Sequence, residues 1–380
     1  MRKKVLILFV FLILVSLVGC GKRGEKDIIK AMEKKIEKAN SYKLSGILEI
    51  TNNDDTYKYD VSVNYKKDDN YRVSLINKSN NHEQIILKNS EGVYVVTPSL
   101  NKSFKFQSEW PNNNSQIYLL HALLNDIKKD ENRSFEENGG KYIFNTKVNY
   151  PNNNQLSKQK ITVNKNMEIE MVEVMNDKNI PQMIMKINSL DFDSTFNDNY
   201  FDLDSIIEQI DPNNSSKGND DLSDNKNSSN NNTKSNNTND DSTKNENTDN
   251  TKNDSNTKSD DKSESTGSID DIIYPLYIPT GTSLTEQERV SKTNGERVIL
   301  TFDGEKPFLL VEETSTASDE FSVIPTFGEP FLLTDTIGAL ADNSITWSSN
   351  GIDYYIVSET MSQVELIEIA SSISAIPTIK

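Results

Sequence analysis

The chain has 380 residues, and its 41 Lys and Arg against 58 Asp and Glu give a formal net charge of −17 at pH 7. This acidic balance argues against a nucleic-acid partner and against electrostatic attraction to anionic lipid headgroups. The length allows about two or three domains, but only 34% of the residues are hydrophobic. That proportion indicates that part of the chain does not pack into a core.

The N-terminus has the pattern of a targeting signal. Basic residues at positions 2–4 precede an apolar run that begins at Val5 and ends in Leu-Val-Gly-Cys at residues 17–20. This order predicts a cleaved secretory signal over residues 1–20. It resembles a bacterial lipoprotein signal, in which Cys20 would carry a diacylglycerol on its sulfur and hold the protein on the extracytoplasmic face of the cell membrane. An ordinary transmembrane helix is the alternative, because the run approaches the ~20 residues that a span requires.

A long polar segment divides the rest of the chain. Residues 211–268 consist almost wholly of Asn, Ser, Asp, Lys and Thr, with one large apolar residue, Leu222. Such a segment buries too little apolar surface to offset an ordering entropy of roughly 1–2 kcal/mol per residue. We therefore predict a disordered linker there, between folded units at residues 27–210 and 269–380. The alternatives are calcium binding by its Asn and Asp residues, although the glycine-centred calcium-loop pattern is absent, and glycan attachment at its Asn-X-Ser/Thr sequons.

The first folded unit is predicted to be an antiparallel sheet with covering helices. Apolar residues recur at three- and four-residue steps over residues 28–39, which predicts an amphipathic helix. Over residues 57–65 every second residue is apolar or aromatic, which predicts a strand with one buried face. Further strands are predicted around residues 72–75, 84–87, 93–96, 103–106, 141–144, 160–163, 171–174 and 183–187. With a second amphipathic helix at residues 117–127, the pattern predicts an α+β fold, a curved antiparallel sheet under covering helices.

One stretch of this unit carries a more specific signal. The sequences VYVVTPSLNKSFKF at residues 93–106, Trp110-Pro111, and SQIYLL at residues 115–120 resemble the LolA/RseB-like lipoproteins of spore-forming bacteria, of the GerS germination type and the YdcC sporulation type. The resemblance covers about residues 27–205. It implies a LolA-like half-barrel whose concave apolar face receives an acyl chain or packs against a protein. The GerS type further implies a cell-wall amidase acting on spore cortex as the partner.

Four residues of the first unit are candidate binding residues: Arg72, Trp110, Pro111 and Tyr118. The resemblance implies an arginine on an early strand that holds the covering helices closed, and Arg72 is in that place; an ordinary surface arginine is the alternative. Trp110 and Pro111 lie between a strand and a helix, where the tryptophan either fills the mouth of the sheet or stands exposed as an anchor for a partner. A lipid on Cys20 would prevent the protein from leaving the membrane, so shuttling of a cargo is not expected.

The reactive side chains do not favour an enzyme. His82 and His121 are the only histidines and Cys20 the only cysteine, so neither a zinc site nor an intramolecular disulfide is expected. No Gly-X-Ser-X-Gly elbow and no phosphate-binding glycine loop occurs. We therefore predict no catalytic residue, metal or cofactor. Neighbouring carboxylates leave glycan hydrolysis as an alternative, through the pairs Asp191/Asp193, Glu168/Glu170, Asp202/Asp204 and Glu312/Glu313.

The second unit, residues 269–380, is predicted to be a small α+β domain. Asn350-Gly351 predicts a tight hairpin, and Ser362 with Glu365 forms a capping box that predicts the start of a final helix. Strands are predicted at residues 297–302, 308–312, 344–348 and 354–358, and residues 274–278, bounded by prolines, fit an edge strand. The region resembles an extracytoplasmic domain of unknown function, which implies no activity.

These features together predict a membrane-anchored, non-enzymatic lipoprotein that binds or scaffolds an envelope protein during sporulation or spore germination. The lipid signal at Cys20, the resembling sheet and the lack of a catalytic inventory favour this function. One alternative is a LolA-type protein that takes up an acyl chain. The other is the carboxylate-based glycan hydrolase.

Overall fold

The computed structural model describes residues 24–52, 55–111, 115–148, 150, 156–210, 268–315 and 320–374. The predicted signal over residues 1–20, with Cys20, lies outside these ranges, as do residues 211–267 of the predicted linker. None of the helices within the ranges has the length and apolarity needed to cross a membrane.

Four α-helices and nineteen β-strands lie in the described ranges. The helices are α1 (Glu25–Ile36), α2 (Leu120–Lys129), α3 (Leu203–Ile210) and α4 (Gln363–Ser374). The strands of the first half are β1 (Ser41–Asn52), β2 (Asp55–Lys66), β3 (Asn70–Asn77), β4 (Glu83–Asn89), β5 (Gly92–Thr97), β6 (Lys102–Phe106), β7 (Ser134–Asn138), β8 (Lys141–Lys147), β9 (Lys158–Val163), β10 (Ile169–Met175) and β11 (Pro181–Phe192). Those of the second half are β12 (Thr282–Lys292), β13 (Gly295–Gly304), β14 (Phe308–Thr314), β15 (Ser322–Thr326), β16 (Glu329–Leu332), β17 (Ile337–Leu340), β18 (Ser344–Ser349) and β19 (Ile352–Val357).

The first sheet has twelve strands in the order β15-β6-β5-β4-β3-β2-β1-β11-β10-β9-β8-β7. Its longest pairing joins β1 and β2 from Ser41 opposite Lys66 to Asn52 opposite Asp55. On the other side of β1, the register with β11 shifts between Ser45 and Gly46. A side chain at Gly46 would collide with the backbone carbonyl of Lys186, so this irregularity requires glycine. The mostly antiparallel sheet with covering helices confirms the predicted α+β class.

One face of the first sheet is covered by α1 and α2. The buried residues of these helices are Ile28, Met32 and Ile36 on α1 and Leu120, Leu123, Leu124 and Ile127 on α2. They pack with alternate residues of the strands into one core. Both predicted helices are therefore confirmed, although α2 begins at Leu120 and Ile117 lies buried just before it. The face that the resemblance associates with an acyl chain is filled by side chains of the protein itself.

The helix α3 covers part of the opposite face. There Ile85, Leu87, Tyr94 and Val96 pack with Phe201 and Ile206 in a separate cluster. The residues between them along β4 and β5, such as Ile86 and Val95, point into the first core. Both strands are thus buried on two faces, which explains why their sequences are continuous apolar runs instead of alternating ones.

The second sheet has seven antiparallel strands in the order β12-β13-β14-β19-β18-β17-β16. The predicted hairpin is confirmed: Asn350 and Gly351 have φ values of 50° and 79° and join β18 to β19. The capping box is confirmed as well, because the Ser362 N–H donates to Glu365 Oε2 at 2.9 Å and the Glu365 N–H donates to Ser362 Oγ at 3.4 Å. The core of this sheet packs against α4.

The predicted edge strand at residues 274–278 is wrong. These residues have no strand pairing, and the edge position belongs to β12, which pairs with β13. Pro275 and Pro279 lack the backbone N–H that a ladder needs, so the segment runs as an irregular chain. It leaves several apolar side chains exposed, among them Leu276 at 74%.

The two sheets meet through β15, β16 and β17. The strand β15 pairs in parallel with β6, from Ser322 opposite Lys102 to Thr326 opposite Phe106, so the second half of the chain contributes the last strand of the first sheet. Residues Ile337 and Ala339 of β17 belong to the first core, whereas Leu340 belongs to the second.

Buried hydrogen bonds join the same regions. The Tyr59 hydroxyl donates to the Thr334 carbonyl at 2.6 Å, and the Ile337 N–H donates to Gln84 Oε1 at 2.6 Å. The Thr336 hydroxyl also donates to Gln84 Oε1 at 3.2 Å. Polar groups that cross a buried contact in this way fix its register, because each would lose a partner if the contact slid.

Candidate functional site

A cavity of about 630 Å³, which we call the junction cavity, lies where the two sheets meet. One wall is the end of β1, from Ile50 to Asn52, with Gln182 and Met183 of β11. The segment before α2, including Tyr118, forms a second wall. The third comes from the second half of the chain, through residues 329–334 and one side of α4. A cavity of this size, mostly apolar with interspersed polar groups, has the character of a ligand site.

The strand β16 borders the cavity with its edge. It is the last strand of its sheet and pairs only with β17 within the described ranges. All six consecutive residues from Glu329 to Thr334 line the cavity, although side chains of neighbouring residues point to opposite faces of a strand. Phe331 packs on the second core and Leu332 on the first. An edge that faces the cavity explains why both kinds of residue line it.

The charged residues of the lining are all acidic. They are Glu329 and Glu368, and no Lys, Arg or His of the described ranges contributes to the lining. Glu329 accepts a hydrogen bond from the Ser108 hydroxyl, and neither glutamate has an ion-pair partner among the described residues. The cavity therefore has a negative potential, which repels anionic ligands and accepts neutral or cationic ones.

The mouth of the cavity is flanked by exposed apolar residues. Tyr277 lines the cavity and is 40% exposed, and its neighbours Leu276 and Ile278 are also exposed. The Tyr277 N–H donates to Ser372 Oγ at 3.2 Å, which fixes this segment beside α4. Contiguous exposed apolar side chains of this kind mark surfaces that contact other molecules.

Of the predicted binding residues, the structure brings Tyr118 to this cavity. Its side chain is 3% exposed and forms part of the lining. Burial raises the pKa of Tyr118 far above its usual value, so the hydroxyl is neutral and can donate a hydrogen bond. Tyr118 remains a candidate binding residue on this basis.

Trp110 and Pro111 are core residues. Trp110 is 1% exposed and packs edge-on against Tyr71, with ring centroids 5.8 Å apart. Its backbone N–H donates to Ser108 Oγ at 2.9 Å, and Pro111 is buried beside it. Trp110 is therefore a core residue at the mouth of the first sheet, which is the first of the two predicted alternatives. The second alternative, an exposed anchor, is wrong because no face of the ring reaches solvent.

Arg72 contacts a helix, but on the face opposite α1 and α2. Its Nη2 donates to Gln209 Oε1 on α3 at 2.8 Å, and its guanidinium lies 4.9 Å from the centre of the Tyr200 ring. Both contacts hold α3 and the turn before it on the sheet. The residue is thus more than a surface arginine, yet it does not reach the junction cavity.

The two histidines lie apart, as their sequence positions predict. His121 packs against Tyr42 and Tyr65, with ring centroids 6.0 and 4.6 Å away, and these two rings stack on each other. His82 lines a second, smaller cavity of about 360 Å³, where its Nδ1 lies 3.3 Å from Ser99 Oγ. Burial lowers the pKa of both rings, so both are neutral at pH 7.

The carboxylate pairs do not favour glycan hydrolysis. None of the four predicted pairs lines the junction cavity. Glu168 and Glu170 form ion pairs with Lys35 and Lys141 at 2.7 and 2.6 Å. Glu312 is fully buried, whereas Glu313 pairs with Arg297 at 2.5 Å. Glu168, Glu170 and Glu313 are thus held in ion pairs, and burial keeps Glu312 out of reach of a substrate.

Sequence reasoning missed most of the cavity. Its lining combines residues from both sides of the 211–268 segment, and no local pattern reports such a junction. One signal was present in the apolar run at residues 274–278. The prolines that bound this run lack a backbone N–H, so the run is a poor strand, and its apolar side chains are expected to make contacts outside a sheet. Pro330 in β16 is a second signal, because proline within a strand indicates an edge.

No family model matches the sequence. Among solved structures, the complex of the CwlD amidase with the GerS lipoprotein from Clostridioides difficile has 20% identity, covers 47% of this chain and 99% of that chain, and has a TM-score of 0.27. A LolA superfamily protein from Nitrosomonas europaea has 12% identity, covers 48% of this chain and 100% of that chain, and has a TM-score of 0.28.

The sporulation protein YdcC of Bacillus subtilis (strain 168) is similar over almost the whole sequence. The two are 32% identical over 371 residues, which cover 97% of this chain and 96% of YdcC. The match includes both sheets and the residues that line the junction cavity between them. It confirms the resemblance predicted from residues 93–106 and 110–120, and the chain belongs to the family of the sporulation protein YdcC.

Proposed function

We propose that the protein is a lipid-anchored, non-enzymatic binding protein of the cell envelope that acts in sporulation, with the junction cavity as its binding site. The name of its relative YdcC supports the sporulation role, and the signal that ends at Cys20 supports the anchor. The observation that carries the proposal is the cavity of about 630 Å³ between the two sheets.

The filled face under α1 and α2 favours this site over uptake of an acyl chain by the first sheet. Ile28, Met32, Leu120 and Leu123 are all 0% exposed and occupy the space that a lipid would need. An acyl chain in the sheet would require both helices to move. The junction cavity requires no such movement.

Filling the cavity tests the proposal. Ser371 lines the cavity and is half-buried, and its backbone carbonyl accepts a hydrogen bond from Asn52 at 3.3 Å. We expect Ser371→Trp to lower the yield of heat-resistant spores at least ten-fold while the amount of protein stays normal by immunoblot. Ser283→Trp on the exposed strand β12 is the matched control and should leave the yield unchanged. A full yield from Ser371→Trp would show that the cavity is not the binding site.

The anchor has a separate test. In cells fed a fatty-acid probe, we expect the protein to take up label and to sediment with membranes, and we expect Cys20→Ala to abolish both. A variant that stays bound to membranes would contradict a lipid anchor and favour a transmembrane helix.

The resemblance to GerS-type lipoproteins implies a cell-wall amidase as the partner. A photo-crosslinker at the exposed Leu276, beside the cavity mouth, should yield an amidase adduct in sporulating cells. The same crosslinker at Val290 on β12 should not. Adducts with a different envelope protein would remove the amidase and leave the binding function in place.

A further inference from the structure

The geometry points to the class of ligand that the junction cavity takes. We infer that it receives an extended peptide segment of a partner protein, which adds a strand to the edge of β16 and presents apolar side chains with a basic residue. The inference rests on the proposed function, in that it takes the cavity to be the binding site.

The edge of β16 offers backbone hydrogen-bonding groups to the cavity. The Leu333 N–H donates to the Thr336 carbonyl at 2.8 Å, which closes the turn between β16 and β17. Register then places Phe331 opposite Gly338 and Leu332 opposite Ile337. Because hydrogen-bonded and non-hydrogen-bonded pairs alternate in antiparallel strands, Phe331 bonds to β17, and Leu332 directs its N–H and C=O outward.

The position of Pro330 agrees with this parity. Proline has no N–H to donate, and it occurs within sheets where the N–H would point away from a partner strand. Pro330 is two residues from Leu332, so its carbonyl points to the same side. An added strand could therefore accept from the Leu332 N–H and donate to the carbonyls of Leu332 and Pro330, which is the bonding of a peptide that extends a sheet.

The other walls suit a peptide better than a hydrocarbon chain. Primary amides lie among the apolar lining residues, at Asn52, Gln116, Gln182 and Gln363. The amide nitrogens of Asn52, Gln182 and Gln363 already donate to groups of the protein itself. Their carbonyl oxygens can accept from a peptide backbone, whereas an acyl chain has no donor to offer them. Apolar residues between them, such as Ile50 and Met183, provide contacts for the ligand's side chains.

Charge decides the remaining chemistry. Within the described part of the chain, Glu329 and Glu368 supply the only formal charges of the lining. A lysine or arginine in the ligand would complement them, and a fatty-acid carboxylate or a phospholipid phosphate would be repelled. The exposed Leu276, Tyr277 and Ile278 at the mouth extend the apolar surface outward, as a protein partner requires and a small enclosed ligand does not.

Selection from random peptides tests the inference even while the partner is unidentified. A display library of eight-residue peptides is selected on the full chain in lipid nanodiscs, after depletion on empty nanodiscs. We expect the selected peptides to carry apolar residues at alternate positions and to be rich in Lys and Arg and poor in Asp and Glu. Selection of acidic peptides, or of none above the empty-nanodisc background, would overturn the inference.

Two variants locate the binding. Glu368→Lys should weaken the best selected peptide at least ten-fold, and Glu208→Lys on the exposed side of α3 is the matched control with unchanged affinity. N-methylation at alternate residues of the peptide should weaken binding at least ten-fold in one of the two registers and leave the other unaffected. Equal effects in both registers would overturn strand addition.

Other occupants have distinct outcomes. If palmitate competes with the peptide and binds more tightly, the cavity is a lipid site and the inference is wrong. If removal of residues 375–380 raises the peptide's affinity ten-fold or more, the chain's own end occupies the edge and the partner assignment is wrong. Should Ser371→Trp abolish sporulation while no peptide is selected, the proposed function stands and this inference alone fails.

Discussion

At the scale of single residues, Glu312 is a fully buried carboxyl group. The side chain is 0% exposed, and its Oε1 accepts the Ile273 N–H at 3.0 Å. Burial raises the pKa of Glu312 to about 7, against a reference of 4.5. This hydrogen bond holds the segment after residue 268 on the second sheet. The protonation state of the carboxyl group depends on pH in the neutral range.

This pKa predicts that the second sheet loses stability as the pH rises. The folded pKa lies above the unfolded one, so the contribution of Glu312 is complete below pH 4.5 and is lost as the pH rises to about 7. At about 1.4 kcal/mol for each pKa unit, the loss is of the order of 3–4 kcal/mol. Glu312→Gln keeps an acceptor for Ile273 and should remove this loss, as measured by urea unfolding at pH 4.5 and 7.5.

Glu313 supplies the control for that measurement. Burial raises its pKa, but hydrogen bonds from Lys292 and Arg297 outweigh this and leave the pKa below its usual value. Glu313→Gln should therefore lower stability at neutral pH and leave the slope between pH 4.5 and 7.5 in place. An unchanged slope in Glu312→Gln would contradict the assignment to Glu312.

Arg72 carries a second prediction at this scale. Its hydrogen bond to Gln209 and its contact with Tyr200 hold α3, and each is worth about 1 kcal/mol. Arg72→Ala should speed amide hydrogen exchange in residues 203–210 about ten-fold. Arg133→Ala breaks an ion pair with Glu25 on α1, so it should speed exchange in α1 and leave α3 unchanged.

At the scale of elements, the pairing of β1 with β11 lies near the middle of the first sheet. It depends on Gly46, where the register shifts and where a Cβ would meet the Lys186 carbonyl and the Met185 side chain. The carbonyl is backbone and cannot turn aside. Strain at this point would spread to both strands.

We expect Gly46→Ala to destabilise the protein by about 2–3 kcal/mol, since overpacking forces the backbone to shift. Ser45→Ala, one residue earlier, removes only an exposed hydroxyl that lies 2.7 Å from Ser189 Oγ and should cost about 0.5 kcal/mol or less. Thermal unfolding of both variants checks the difference. Equal melting temperatures would mean that β1 and β11 have room at this position.

The elements also show how far sequence reasoning reaches. Strands with one buried face, such as β2 and β3, alternate clearly, and the two turn residues Asn350 and Gly351 identify a hairpin. The strand β12 was not predicted because almost all of its side chains are exposed, so neither face carries an apolar period. The four-residue strands β16 and β17 were missed because each contributes residues to both cores, so neither shows a one-sided apolar period.

The candidate site was harder to predict than the fold. Tyr118 could be singled out from the sequence, since it stands in the resembling stretch, but one whole wall of its cavity comes from residues beyond position 276. Trp110 was singled out for its place between a strand and a helix, and its side chain packs in the core. Contacts between distant segments depend on tertiary geometry, which a pattern of local periods does not contain.

At the scale of the whole molecule, buried hydrogen bonds join the two sheets. The side chain of Gln84 bonds to Thr336 and Ile337, and Tyr59 bonds to Thr334. All of these groups are buried or nearly so, and they lie beside the cavity. The ligand site and the contact between sheets are therefore coupled.

Gln84→Leu should uncouple the sheets. It leaves the buried Ile337 N–H without its acceptor, at a cost of about 1–3 kcal/mol. We expect one calorimetric unfolding transition in the normal protein and two in the variant. Gln287→Leu removes an exposed hydrogen bond with Tyr274 and should leave a single transition. Two transitions in the normal protein would show that the contact is weak from the start.

The parallel pairing of β15 with β6 has a consequence for any attempt to produce the halves separately. A fragment that stops before residue 211 would leave five residues of β6, from Lys102 to Phe106, with bare amides and carbonyls on their outer side. An unpaired strand edge can form hydrogen bonds with the strands of other chains. Such a fragment should self-associate in solution, and adding the missing half in trans should restore a monodisperse species.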